Sequence, residues 1–356
     1  MLRDTCVQNI LFSIIFVLTI LFSLRKKDGV DTKEAITRDD TTSLKGIAFL
    51  MVFLSHIGYF LFPDSNFLFP FSIFAGVGGN LFLFLSGYGL AKSYSETNPL
   101  HFYKKRFIKL YIPLIVTTII ITILDIFSGS FVSFFHVLPG ITAIVPSAQI
   151  FTDFNSPLWF LTLLFIFYLA FPILFNKKRP IQSCVFLFLF SIIVPKFLVS
   201  FLPFTDGIIH LYNIHALAFP LGVAVSFFVP KNFFIFFRSP LWLRIFSWCV
   251  SVGLFVYLSL NAFINTPYEE FISLITMGLF LYIILSIPLK SMFLYILGVY
   301  SYELYLLHWP LIYRHTIFYS VIPAWSATYL YIFFLLGVAF IVSYISKKVI
   351  QKITTK

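Results

Sequence analysis

Eleven apolar runs constrain this chain more than any other feature. They span residues 7–24, 44–62, 71–92, 107–127, 158–175, 183–204, 210–229, 242–260, 271–288, 293–313 and 324–345. A bilayer core takes about 20 consecutive apolar residues in a helix. Inside it every backbone polar group must be paired within the protein, so such runs form helices. The expected fold class is therefore all-α, a polytopic integral membrane protein. Composition agrees. Sixty per cent of the 356 residues are hydrophobic and 11% are charged, against about 25% charged in an ordinary soluble domain. That leaves too little polar surface to wet an exterior. The first run lacks a small-residue cleavage site and is followed at once by Arg25, Lys26 and Lys27, so it reads as an anchor helix rather than a signal peptide.

The loops carry the orientation. Basic residues fill alternate connections: Arg25, Lys26, Lys27, Lys33 and Arg38; then Lys92, Lys104, Lys105 and Arg106; then Lys177, Lys178 and Arg179; then Lys231 and Arg238; then Lys290; then the tail with Lys347, Lys348, Lys352 and Lys356. The connections between them are bare, apart from Arg314. This alternation puts the basic loops in the cytoplasm, the N-terminus outside and the C-terminus inside, in a multi-pass protein of the cell membrane. It also accounts for the net charge of +11 without nucleic acid. The external stretch 128–157 mixes Pro139, Gly140, Pro146 and Pro157 with apolar residues such as Ile141. It reads as a re-entrant or surface-lying cap. Cys6, Cys184 and Cys249 have no metal-ligand spacing and imply no disulfide framework.

Ionisable residues inside spans are costly and each needs a reason. In the second span Lys45 stands at the cytoplasmic mouth and His56 eleven residues on. That spacing is near three helical turns, so the two share a face about 16 Å apart. Two readings stay open: a working face joining a cation to an imidazole, or a snorkelling lysine beside a structural histidine. The tenth span holds Glu303 and His308. Ser301, Tyr305 and His308 share one face, and Glu303 lies about 140° from His308 on an ideal helix, unless Gly298 or Pro310 distorts it. By helix rise His308 and His56 lie at similar depth, about 22 and 18 Å from the cytoplasmic end. Lys104, Lys105, Arg106 and Lys109 crowd the entry to the fourth span. On charge alone this cluster is topogenic; the functional alternative is a phosphate clamp.

Taken in order, five segments resemble the acyltransferase-3 family: SLKGIAFLMVFLSHIGYF with Lys45 and His56; GVGGNLFLFLSGYGLAKSY with Ser86, Gly87 and Tyr88; FYKKRFIKLYIP with Arg106 and Lys109; PLWFLTLLFIFYLAFP with Trp159 and Pro172; and LGVYSYELYLLHWPLI with Ser301, Tyr305 and His308. The resemblance covers 42–345. It implies a ten-helix core at 44–345, one extra N-terminal transmembrane helix and loop at 1–43, and a basic cytoplasmic tail at 346–356. Two positions depart from the pattern. Asn80 stands where many members have Asp, and Leu164 where many have Glu. No fused extracellular esterase-like domain is expected, so the membrane part or a separate partner completes any transfer.

The resemblance implies an O-acyltransferase that moves an acyl group, usually acetyl, from coenzyme A to a hydroxyl of a cell-surface glycan or its lipid-linked precursor. Lys45, Arg106 and Lys109 are the expected donor-binding residues, holding phosphates of acetyl-CoA or another acyl-CoA. His56 is the expected general base, with His308, Glu303 and Tyr305 as the other catalytic candidates. No metal is implied. A transporter or flippase for polysaccharide or small solutes is the rival class, since buried Glu and His and proline-interrupted helices also suit transport. A third possibility is a catalytically inactive protein that senses acyl-CoA or serves assembly.

Overall fold

The computed structural model describes residues 5–26, 36–61, 66–72, 74–95, 98–130, 133–145, 154–201, 206–229, 240–261, 268–286 and 289–354. Lys27, Lys33, Lys231, Arg238, Lys356 and Pro146 lie outside them. The described residues form fourteen α-helices: α1 Thr5–Phe22, α2 Arg38–Leu61, α3 Phe74–Ser93, α4 Pro99–Phe127, α5 Phe134–Thr142, α6 Trp159–Leu174, α7 Pro180–Phe201, α8 Asp206–Ala216, α9 Ala218–Phe228, α10 Leu241–Asn261, α11 Glu269–Leu285, α12 Met292–Val299, α13 Ser301–Tyr313 and α14 Ala324–Thr354. Among the described residues, each of the eleven apolar runs is mostly helical. Eight helical stretches among the described residues are long and apolar enough to cross a membrane.

The boundaries differ from the expected ones where local chemistry overrides hydropathy. α2 starts at Arg38 rather than 44 because Thr37 and Asp40 cap it reciprocally. The Asp40 amide donates to Thr37 Oγ1 (3.1 Å), and the Thr37 amide donates to Asp40 Oδ2 (3.1 Å), so two helix-end donors are satisfied. The expected span 210–229 is two helices, α8 and α9, broken at Leu217. Pro220 causes the break: it has no amide hydrogen and its ring clashes with the carbonyl four residues back, that of Ala216, where α8 ends. The span 293–313 is likewise split at Tyr300 into α12 and α13. The basic tail continues α14 to Thr354 rather than leaving the helix.

Glycines set the closest helix crossings. A Cβ on Gly298 would collide with the Thr42 carbonyl, and one on Gly46 with that of Leu294, so α2 and α12 meet backbone to backbone. The same relation joins α3 to α9 through Gly87 against Phe219 and Gly222 against Phe84. In lipid, close backbone approach of this kind replaces the hydrophobic effect as the source of helix association.

Prolines inside helices are answered from other helices. Pro310 leaves the carbonyl of Leu306 without its intrahelical donor, and the Asn155 side-chain amide donates to it (2.8 Å). Beside Pro113 and Pro172, the carbonyls of Leu110 and Leu169 accept from the hydroxyls of Tyr302 (2.8 Å) and Tyr103 (2.7 Å). These bonds tie α4, α6 and α13 and the segment before α6 into one body.

The two ends of the bundle are distinct. At one end Leu24–Lys26 pairs antiparallel with Leu289–Ser291, Arg25 opposite Lys290, and Lys290 Nζ reaches Asp39 Oδ2 at 3.1 Å. At the other, α5 packs over α4, with Thr118 donating to Gly140 and Tyr111 to Thr142. Arg314 and His315 there both contact Asp125, at 2.8 and 3.1 Å. Arg314, the one basic residue of its otherwise bare loop, is thus neutralised by a buried carboxylate while its plane covers the Phe154 ring at 4.8 Å. Burial pushes the Arg314 guanidinium below its usual pKa, and Asp125 opposes that shift.

Candidate active site

The similar depth of the two histidines becomes contact. Nδ1 of His56 on α2 lies 2.8 Å from Nε2 of His308 on α13, with the rings nearly parallel. His308 is fully buried, and its Nδ1 lies 2.6 Å from the Tyr305 carbonyl. A carbonyl oxygen only accepts, so Nδ1 of His308 carries the hydrogen. The Nε2 of neutral His308 then accepts, and His56 Nδ1–H donates to it. His56 Nε2 is left with a free lone pair. The chain of bonds Tyr305 carbonyl, His308, His56 sets both tautomers from a backbone atom outward. Trp309 packs edge-on against His56, with centroids 5.1 Å apart.

His56 lines a cavity of about 350 Å³ in the half of the bundle that holds the bare loops. That volume sits at the small end of small-molecule sites. Its walls are mainly aromatic and apolar, among them Tyr59, Trp159, Phe160, Tyr305 and Trp309, with His215, Ser273 and Glu269 supplying polar groups. The Tyr305 hydroxyl gives its hydrogen to the Pro157 carbonyl at 2.6 Å. Together with the Asn155 bond to Leu306, this fastens the segment before α6 to the helix that carries His308.

The remaining expected residues divide. Lys45 and Arg106, on α2 and α4, come within electrostatic reach of each other. Arg106 also faces Tyr168 and donates to Ser93 Oγ at 3.4 Å. Neither cation forms an ion pair among the described residues. Two like charges within electrostatic reach of each other, neither ion-paired among the described residues, favour an anion near them. Lys109, three residues beyond Arg106, stays exposed. Glu303 is turned from the histidines towards Ser343 and Lys347 of α14, as the 140° offset implies. Leu164, at the position of the absent carboxylate, is buried in the apolar core around α6.

Sequence reasoning missed His215. It lies in the last turn of α8, only 3% exposed. It is stacked on Trp159 with centroids 5.3 Å apart, and its Nδ1 is 2.8 Å from Asn80 Oδ1. Asn80 Nδ2 in turn donates to Ser273 Oγ at 2.6 Å. The signal was present: an imidazole inside an apolar run is rare enough to single out by itself.

A family model described as an acyltransferase domain, that of acyltransferase-3, matches residues 42–347. The chain belongs to the acyltransferase-3 family. No curated protein and no solved structure matches it. The family match and the apolar helices together make this a membrane-embedded acyltransferase. The matched region begins within α2, four residues after Arg38, and ends in α14, so α1 and the ribbon strand that follows it precede the matched region.

Proposed function

We propose that this acyltransferase moves an acyl group, acetyl in the simplest case, from coenzyme A to a hydroxyl of a cell-surface glycan or glycan precursor. The observation that carries the proposal is the His56–His308 contact, whose hydrogen-bond pattern leaves an unprotonated His56 Nε2 on a small-molecule cavity. Imidazole titrates near neutral pH, which suits it to general-base work.

In this reading His56 Nε2 takes the proton of the acceptor hydroxyl. The oxygen attacks the thioester carbonyl, the new C–O bond forms and the C–S bond breaks. The proton passes from His56 to the departing thiolate. His308 keeps His56 in the base-competent tautomer and shares the positive charge while the proton is held. Lys45 and Arg106 hold donor phosphates at the basic end. The extended thioester arm then covers the ~16 Å from Lys45 to His56 along α2. Lys109 guides donor approach by charge, and Glu303 braces α13 against α14.

The test is thiol release from acetyl-CoA by the protein in lipid nanodiscs, with and without a glycan acceptor, together with the alkali-labile ester content of surface glycans with and without the gene. Acceptor-dependent thiol release with a gene-dependent ester supports the proposal. An altered amount of exported glycan with unchanged ester content overturns it in favour of transport.

A further inference from the structure

The cavity contains a second imidazole held in the same manner as the first. His215 Nδ1 faces the carboxamide oxygen of Asn80 at 2.8 Å. That oxygen is an acceptor, so Nδ1 carries the hydrogen, and Nε2 of neutral His215 keeps a free lone pair. Asn80 is itself fully buried and is oriented by its bond to Ser273 Oγ. Gly79 and Gly76 of α3 leave room for the ring: a Cβ at Gly79 would already touch His215 Cε1 at 3.4 Å. Trp159 stacks on it. The ring is thereby fixed from Asn80, the glycine face of α3 and Trp159, and His215 lines the same cavity as His56.

Each imidazole therefore keeps one bare nitrogen, and both rings line one small cavity. Two lone pairs on two walls match a ligand that offers two hydroxyl hydrogens. We infer that His215 is a specificity-determining residue for the acceptor: it accepts a hydrogen bond from a second hydroxyl of the sugar whose first hydroxyl is given to His56. This rests on the hydroxyl-acceptor reading above and adds to it that the acceptor is recognised as a polyol, through a hydroxyl that is not acylated. Asn80 has a defined part. A neutral carboxamide accepts from His215 without placing a charge beside it, so the ring stays a hydrogen-bond acceptor rather than becoming an imidazolium.

The experiment pairs deletions in protein and ligand. Transfer from acetyl-CoA is measured in nanodiscs to methyl glucopyranoside, galactopyranoside and mannopyranoside and to the monodeoxy analogues of whichever reacts best. With the wild type, removing one non-acylated hydroxyl lowers kcat/KM about tenfold, the worth of one buried hydrogen bond. With His215→Ala that same deletion costs less than twofold, because its partner is already gone. His215→Gln, whose amide oxygen still accepts, restores part of the discrimination. Asn80→Ala, which frees the ring, reduces it and serves if His215→Ala does not insert. An undiminished tenfold deoxy penalty in His215→Ala overturns the inference while leaving acyl transfer to hydroxyls standing. A wild-type protein that acylates none of the glycosides overturns the glycan-acceptor reading, and this inference with it.

Discussion

The His56 and His308 rings lie within 3° of parallel, with centroids 5.0 Å apart, although 252 residues separate them in the chain. The first expectation follows from their unequal roles. His56→Ala removes the base and lowers acyl transfer by about 10²–10⁴-fold. His56→Gln, which keeps a hydrogen-bonding group but takes no proton at neutral pH, is equally inactive. His308→Ala leaves the base present but free to adopt the wrong tautomer, so activity falls less. His308→Gln retains more activity than His308→Ala, since its amide oxygen still accepts from His56 Nδ1–H. Initial rates per inserted protein decide this, and near wild-type transfer by His56→Gln would make His56 structural.

Lys45→Ala and Arg106→Ala raise the donor KM, with kcat changed less. Each removes one charge-assisted phosphate contact, worth about 1.5–3 kcal/mol or roughly 10- to 100-fold. Lys104→Ala and the exposed Lys109→Ala change it about twofold or less. Titration of acyl-CoA against each variant gives the answer, and equal small effects at all four positions would return the cluster to a topogenic role.

Much of this was legible in the sequence. Hydropathy located the helical runs, because lipid demands that backbone polar groups be paired within the segment, but not the breaks at Leu217 and Tyr300 that divide two of them. Depth along a helix was also legible, which is why His56 and His308 were expected at one level. Which helices touch was not. The α2–α12 contact depends on Gly46 and Gly298 meeting face to face, and the distortion at Tyr300 then governs how α13 presents His308 to α2. His215 was passed over because no spaced partner marks it. Its partner Asn80 is 135 residues away, and the sequence gives Asn80 meaning only as a missing Asp. The structure shows what the asparagine does instead, which is to orient an imidazole without charging it.

Gly298→Ala adds a methyl where the Thr42 carbonyl already stands. Overpacking of this kind costs about 1–3 kcal/mol, so the variant melts at lower temperature in a detergent-extracted thermal shift assay. Gly253→Ala, at a glycine with no atom in the way, is the control. A Gly298→Ala protein as stable as the wild type would mean that α2 and α12 are further apart than described.

Asp125→Ala leaves the Arg314 guanidinium buried without its partner. Removing one member of a buried pair destabilises by roughly 3–5 kcal/mol, and the same thermal assay reads it. Asp125→Ala combined with Arg314→Met removes both charges and recovers most of the loss. A double variant no better than Asp125→Ala alone would mean that the carboxylate serves something other than Arg314.

Single cysteines report the sidedness of the loops. A cysteine at Lys178 is protected from an impermeant thiol reagent in intact cells, and one at Ser130 is labelled. Labelling at Lys178 would invert the proposed orientation.

The short ribbon between Leu24–Lys26 and Leu289–Ser291 sets an order of events during synthesis. Ser23 and Ser291 share a 2.6 Å hydrogen bond across 268 residues. At about 5–20 residues per second, ribosomes need roughly a quarter of a minute to a minute to make the later strand after the earlier one. The first helix therefore waits in the bilayer beside neighbours that do not yet include its final partner. Its seat is taken only when about four-fifths of the chain, through Ser291 of 356 residues, has left the ribosome. A cysteine pair at 23 and 291 would cross-link in released chains but not in those stalled soon after α11.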